Sequence, residues 1–511
     1  MLTRLKVNGF KNLVDVDIRL GPFTCIAGPN AVGKSNLFDA IRFLSTLASK
    51  TLMEAALSVR NETARNADVR SLFHRVAGTP TNHMSFEVEM IAPKEAVDDL
   101  GQRAVATANF LRYTLELRYR DDPDRNQPLR GPIEIEKEEL VHIPSGQASS
   151  HLVFPHSSRD WRATALGIKH RSAPFISTVE EGGTRIIKLH QDGGGHGRAK
   201  SNPATQPRTV LSVANAAESP TVLCARREME SWALLQLEPA ALREPDPVNA
   251  PFHLAANGGH LASTLYHLAR AALPGNPDTQ VADLENTVYA QAANRLGELI
   301  DDVAAIAVDR DDKREILTLQ VTGKDGTTYP ARSLSDGTLR FLALTILEMD
   351  PHARGLLCLE EPENGIHPAR ITAMLTLLQD IATDPREPID DTNPLRQVIV
   401  NTHSPAVVLG VPDDALLVVE AREATNQRNE VFKRAVFSHL PDTWRQRADP
   451  DARPESKGRL LAYLNPVSVD EEYGDGAYAR VGRKTFHGGL QSRRRVVDRD
   501  DLQPYLPHVA E

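Results

Sequence analysis

Eight residues near the start of the chain, Gly28-Pro29-Asn30-Ala31-Val32-Gly33-Lys34-Ser35, have the GxxxxGK[ST] spacing of a phosphate-binding loop. Glycines let such a backbone wrap around phosphate oxygens, and successive N–H groups backed by a helix N-terminus supply positive potential. In that arrangement Lys34 reaches the β- and γ-phosphates of a nucleotide and Ser35 ligates Mg²⁺, with Asn30, Gly33 and Asn36 completing the binding set. A Gly-rich turn that fits the pattern by chance is the plain alternative. A second group, Leu356–Glu363, is an apolar run that ends in the carboxylates Glu360, Glu361 and Glu363. A buried strand that delivers acids at its C-terminal end places them where open α/β sheets bind ligands. Glu360 would face the magnesium ion through its water shell, and Glu361 would orient or deprotonate an attacking water. Taken alone, this group is equally a strand running into a solvated loop. In Leu334-Ser335-Asp336-Gly337-Thr338 a hydroxyl, a glycine backbone and the start of a helix together make an anion site, or Ser335 simply caps the helix. Val398–Pro405 is a strand that ends at His403, a residue type that is often purely structural in such a place.

The elements around these residues are the ones their chemistry needs. Residues 1–27 read as two or three short strands ending at Thr24-Cys25-Ile26-Ala27. After the Gly-rich turn, Leu37, Phe38, Ile41, Leu44 and Leu47 recur with a helical period over Lys34–Ala48. Between about 80 and 190 the runs Met84–Ile91, Leu111–Tyr119, Ile133–Ile135 and Leu152–Phe154 alternate, which predicts an antiparallel sheet. Gln191–Arg208 reads as a linker, and helical stretches including Gly259–Leu268 and Thr287–Leu299 follow to about 305. Residues 314–322 form another strand ahead of the motif-dense region 331–411, and beyond 440 the chain turns polar and rich in Arg, Asp and Pro. The expected division is an N-terminal lobe over 1–190, an inserted and mostly helical region over 191–305, a C-terminal lobe over 306–440 and an extension over 441–511.

Composition narrows the function classes. The 511 residues are 41% hydrophobic and 25% charged with a formal net charge of −9, which argues against a uniformly basic DNA-coating protein but not against a local basic groove. Cys25, Cys224 and Cys358 stand far apart, which excludes a disulfide framework and a Cys-rich zinc site. Cys25 and Cys358 sit in apolar runs and are expected as small buried thiols. The N-terminus starts directly on an alternating strand and no run of 18 apolar residues occurs, so no leader and no membrane span are expected, and the setting is read as cytoplasmic.

The order of the groups carries a family resemblance. Ser335 lies 26 residues before Glu361, and His403 lies 42 after it. Leu334–Thr338 resembles the LSGGQ signature of ABC-type ATPases, and the strand ending at His403 resembles their switch-histidine strand. In that family the signature, here Ser335 and Gly337, completes the γ-phosphate pocket of the opposite protomer, and the switch histidine contacts the γ-phosphate. The resemblance implies an α/β P-loop NTPase of ABC type, a mixed sheet with flanking helices and an antiparallel β lobe, with a large insertion between phosphate loop and signature. It implies ATP and Mg²⁺ as cofactors and Glu361 and His403 as catalytic residues.

Within the ABC group, Leu5–Asn12, the EEPENGxHP form of Glu360–Pro368, Thr402-His403-Ser404-Pro405 and Asn257–Leu265 resemble the RecF, SMC and OLD branch, and most closely its stand-alone OLD-like AAA_21 members. Glu360 stands where the wider group has Asp; a longer acid still reaches magnesium through water. Ser335 follows Lys34 by 301 positions, a separation that exceeds what a transporter domain uses, and the intervening chain holds no long heptad stretch of the kind that makes an SMC arm. The resemblance implies a homodimer or higher homo-oligomer that hydrolyses ATP at a head-to-tail interface. That dimer would switch conformation on DNA, in anti-phage defence or DNA repair, with a separate effector such as a nuclease. The alternative is an OLD-type metal-dependent nuclease with a degenerate Toprim-like module over 420–511. Glu420 and the Asp498-Arg499-Asp500 pair would be its metal ligands, but no glycine follows Glu420 and few residues remain after Asp500. Arg493-Arg494-Arg495 and the Arg/His-rich segment 156–171 are the candidates for phosphate contact with DNA, or simply solvated charged surface.

Overall fold

The computed structural model describes residues 1–59, 68–120, 131–167, 173–192, 200–203, 206–271, 281–426, 428–449 and 454–455. Two large sheets organise them. The first is an eight-stranded antiparallel sheet. Its spatial order is Lys200–Pro203, Thr184–Leu189, Ile176–Glu181, Ile133–His142, Phe110–Tyr119, His83–Ile91, Leu2–Asn8 and Val16–Arg19. The second has six strands in the order Ala233–Leu235, Gly355–Glu360, Arg396–Thr402, Phe23–Ala27, Leu416–Thr425 and Val431–His439. Its first five strands are parallel, and the last returns antiparallel as a hairpin. A smaller antiparallel sheet holds Asp246–Pro247, Ile316–Thr322, Ala305–Asp311 and Thr328–Pro330.

The strands Gly355–Glu360, Arg396–Thr402 and Phe23–Ala27 and the first half of Leu416–Thr425 are buried on both faces, which is why they read as near-continuous apolar runs. Ile26, Leu356, Cys358, Ile399, Leu417 and Val419 face a core shared with the first sheet. Their neighbours Cys25, Leu357, Leu359, Val398, Val400 and Val418 face a second core formed with the C-terminal helices. The helix Lys34–Leu47 lies in the layer between the two sheets: Leu37, Phe38, Ile41, Phe43, Leu44 and Leu47 all enter the first core. The helices Asp336–Met349 and Ile371–Ile381 cover the far face. The architecture is that of an α/β P-loop NTPase of ABC type, a mixed sheet with flanking helices and an antiparallel β lobe. All three cysteines are free and buried. Among the described residues no helix is long and apolar enough to cross a membrane.

Several local expectations change. Leu152–Phe154 is irregular, not a strand, because Leu152 and Phe154 bury their side chains in a third cluster with Trp161 and Trp444. The strand expected over Ile133–Ile135 runs on to His142: a bulge between Ile135 and Lys137 shifts the inward phase so that Glu138 and Leu140 point to the core. Part of the expected linker, Lys200–Pro203, pairs with Ile186–Leu189 as the sheet's edge strand. The helix expected from Gly259 starts at Leu261, after His260 takes a left-handed φ of 66°. The segment 191–305 contributes strands to all three sheets as well as the helices Pro220–Glu230, Leu261–Ala271 and Val281–Leu299. Glu420 lies inside the strand Leu416–Thr425, where it accepts hydrogen bonds from the Arg422 guanidinium at 3.2 Å. Asp498, Asp500 and Arg493–Arg495 fall outside the described residues; of the basic segment 156–171, residues 156–167 are described.

Candidate functional site

Strand register assembles the site. Ala27 pairs with Thr402, Ile26 with Asn401, and Asn401 with Glu360, so three parallel strands end level with one another. The residues that leave those ends are the phosphate loop from Gly28, the acids Glu360-Glu361 and His403. Sequence positions hundreds of residues apart thereby share one sheet edge, where open α/β folds place ligands.

The loop closes onto a helix N-terminus. Gly33 is the N-cap of Lys34–Leu47 with φ 118°, a conformation only glycine adopts without strain, and a Cβ there would lie 2.6 Å from the Asn12 carboxamide. The first N–H groups of this 14-residue helix have no partner inside the helix. Lys34 Nζ donates to the Gly28 and Pro29 carbonyls at 2.6 and 2.8 Å, so the loop curls around its own ammonium. Burial lowers the Lys34 pKa, against the opposing pull of Glu361, Glu363 and Glu360. Ser35 is exposed beside it.

A cavity of about 560 Å³ opens in front of the loop. Asn30, Gly33, Lys34, Ser35 and Asn36 line it together with Glu360, Glu361, Gln236 and Arg340. Glu360 accepts from Asn401 Nδ2 at 3.2 Å and from Gln236 Nε2 at 3.4 Å. Glu361 has a left-handed φ of 44°, a conformation that costs a non-glycine residue about 1–3 kcal/mol and that gathers at functional sites. Its backbone N–H ends the strand on the Asn401 carbonyl at 3.0 Å. One carboxylate oxygen meets His403 Nδ1 at 2.6 Å, and the other accepts from Asn364 Nδ2 at 2.8 Å. Both members of the Glu361–His403 pair keep solvent access, with side chains 29% and 44% exposed.

The structure thus brings together Asn30, Gly33, Lys34, Ser35, Asn36, Glu360 and Glu361 around one cavity, with His403 against Glu361. It does not bring Ser335 and Gly337 there. Ser335 N-caps the helix Asp336–Met349, its hydroxyl accepting from Thr338 N at 3.1 Å, outside the cavity lining.

Four contributors escaped the sequence reading. Gln236 reaches the site because the three-residue strand Ala233–Leu235 pairs in parallel with Leu357–Leu359, a partnership no local pattern signals. Asn401 holds Glu360 from the neighbouring strand. Asn12 donates to the Val32 carbonyl at 2.9 Å and accepts from Asn36 at 2.7 Å, bracing the phosphate loop from outside. Glu363 is buried, accepts from Thr402 Oγ1 and has no partner for Oε2 among the described residues; burial raises its pKa. The only advance signal for Glu363 was its place as the third acid of Glu360–Glu363.

These groups fit a nucleoside triphosphate with a divalent cation. A helix N-terminus and the buried Lys34 ammonium suit an anion, and an exposed hydroxyl and an amide-held carboxylate suit a hard cation's water shell. The family described as "AAA domain, putative AbiEii toxin, Type IV TA system" (AAA_21) matches residues 23–147 and 229–409, more than half of the chain. The chain belongs to the AAA_21 family.

This AAA_21 protein is similar over short stretches to two characterised proteins. It is 51% identical over 41 residues to the OLD nuclease of Thermus scotoductus, 8% of either chain. It is 38% identical over 65 residues to the DNA replication and repair protein RecF of Paenarthrobacter aurescens, 12% of this chain and 16% of that one. The match therefore spans well under a fifth of either relative's length. Among solved structures it is similar to an Smc head bound to the C-terminal winged-helix domain of ScpA, at 13% identity and TM-score 0.42, covering 86% of this chain and 98% of that one. An Smc head with extended coiled coil from Pyrococcus furiosus, bound to the C-terminal domain of ScpA, is 10% identical with TM-score 0.39 over 86% and 96%. The family match and the two short stretches agree with the resemblance carried by the motifs.

Proposed function

We propose that the protein binds ATP with Mg²⁺ in the cavity before the phosphate loop and hydrolyses it when two heads pair head-to-tail. The observation that carries this reading is the Glu361–His403 pair at 2.6 Å, whose Glu361 lines the same cavity as Lys34. Lys34 and the helix N-terminus would hold the β- and γ-phosphates, with Asn30, Gly33 and Asn36 shaping the cradle. Ser35 and Glu360 would hold Mg²⁺, which neutralises charge on the phosphates when bound. Glu361 would take a proton from the attacking water, its own orientation set by Asn364 and His403. Ser335 and Gly337, which lie outside this chain's own cavity, would complete the site of a second copy. ATP binding then closes the pair and hydrolysis releases it. By the same reading the pair works in the cytoplasm on DNA, in anti-phage defence or DNA repair, with a separately encoded effector such as a nuclease. The short likenesses to an OLD nuclease and to RecF support that context.

The test is the oligomeric mass of wild type and Glu361→Gln, with and without ATP and Mg²⁺, measured alongside phosphate release. An ATP-dependent shift to dimer that persists in the variant, with hydrolysis down about 10²–10³-fold, supports the cycle. Normal hydrolysis by Glu361→Gln, or a mass indifferent to nucleotide, sinks it.

A further inference from the structure

The signature turn Leu334–Thr338 departs from the LSGGQ pattern at Asp336, which occupies a glycine position. The structure supplies that carboxylate with a specific partner. Arg243 ends the short helix Pro239–Arg243, and its Nη2 donates both to the Leu334 carbonyl at 3.1 Å and to Asp336 Oδ1. Nη1 of the same guanidinium donates to the Pro239 carbonyl at 3.1 Å, which fixes the donor itself. Leu334 and Asp336 flank Ser335, so one cation grips the backbone on one side of the signature hydroxyl and a carboxylate on the other. On the opposite flank Gly337 packs so closely on the Gly365 carbonyl that a Cβ would lie 3.1 Å from it. Arg340 of the same helix donates to the Asn364 carbonyl. The turn is clamped between Arg243 and the loop that follows Glu361.

We propose that Arg243 is a positioning residue that sets the aim of Ser335 toward the nucleotide of a second copy, and that Asp336 is the handle by which it does so. The inference rests on the shared-site reading above. A purely structural account gives Arg243 little to do: the pair is solvent-accessible, with side chains 29% and 48% exposed, and such pairs contribute about 0–1 kcal/mol to stability. A misaimed donor at a reacting phosphate, by contrast, costs ten- to a hundred-fold in rate.

Mixed heads separate the two accounts. A Lys34→Ala chain supplies only a signature, and a Ser335→Ala chain supplies only a phosphate loop. Mixed in equal amounts they form one complete composite site, and phosphate release returns. Placing Arg243→Ala on the Lys34→Ala chain, the signature donor, is expected to lower kcat about tenfold with KM within about twofold. Placing it on the Ser335→Ala chain leaves the rate within about twofold of the control mixture. Arg243→Lys on the signature donor recovers part of the loss, because an ammonium still donates to both acceptors. Equal effects on either chain, or no effect on either, overturn the positioning role while leaving the shared site intact. No return of hydrolysis in the Lys34→Ala plus Ser335→Ala mixture overturns the shared site, and the role of Arg243 with it.

Discussion

Two carboxylates, Glu361 and Glu138, show what the two large sheets are for. Glu361 leaves the end of a parallel strand, keeps solvent access, sits in a strained backbone conformation and meets only polar side chains, His403 and Asn364. Glu138 sits mid-strand in the antiparallel sheet, fully buried. It accepts from Val210 N at 2.8 Å, Leu211 N at 2.9 Å and the Tyr113 hydroxyl at 3.2 Å. Burial pushes its pKa from an ordinary 4.5 up to about 7 despite those donors. The same chemical group has opposite settings: one acid is left open at a cavity, and the other is sealed where it pins Val210 and Leu211 onto the sheet. Burial alone does not mark a functional acid; access to a cavity does.

If the open edge holds ligand and the sealed acid holds only structure, substitutions at the two should separate into ligand-dependent and ligand-independent effects. The largest is at Lys34. At ATP one hundred times its Kd, binding stabilises the wild-type fold by about 2.7 kcal/mol, seen as a rise in Tm. Lys34→Ala is expected to abolish that rise while moving the nucleotide-free Tm far less. A full ATP-dependent rise in the variant would break the comparison at its open end.

The next effect belongs to Glu138→Gln, which turns an amide NH₂ toward the backbone N–H of Val210 or Leu211 and leaves that donor unpaired. The expected cost is about 1–3 kcal/mol, read by urea unfolding, with ATP binding unchanged. The variant also changes the pH profile. Because the folded pKa lies above the unfolded value, the native state holds the extra proton between pH 4.5 and about 7. The contribution of Glu138 to stability is therefore full below 4.5 and is lost as pH rises through about 7. Glu138→Gln should flatten the stability profile across that window. A profile as steep as wild type would mean that another group titrates there.

The open end was far more legible in sequence than the sealed one, for a physical reason. A phosphate loop, an acid-ended strand and a histidine-ended strand are contiguous patterns, each set by backbone needs within a few residues. Strand order is not local: neither the eight-strand sequence of the first sheet nor the pairing that delivers Gln236 to Glu360 leaves a trace in any short window. Glu138 was invisible because the bulge after Ile135 breaks the two-residue period and puts an acid at an inward position, where the pattern expects an apolar side chain. Leu152–Phe154 misled in the opposite sense, since a three-residue apolar run reads like a strand even when it anchors an irregular segment on Trp161 and Trp444.

The smallest effect tests how the sealed side is held together. Ile176–Glu181 pairs with Ile133–His142 through the backbone only at Leu140 and Ile176. Two residues on, the Thr178 hydroxyl does the ladder's work: it accepts from Glu138 N at 2.8 Å and donates to the Glu138 carbonyl at 2.9 Å. Thr178→Val keeps the shape and removes both bonds, which should cost about 1 kcal/mol in unfolding free energy. Thr178→Ser should restore most of it, because the hydroxyl and not the methyl carries the contact. Phosphate release should be the same in all three, since this contact lies in the antiparallel sheet and none of its residues lines the nucleotide cavity. A Thr178→Val protein with unchanged stability but slowed phosphate release would show that the antiparallel sheet reports to the open edge, and the division of labour between Glu138 and Glu361 would fall.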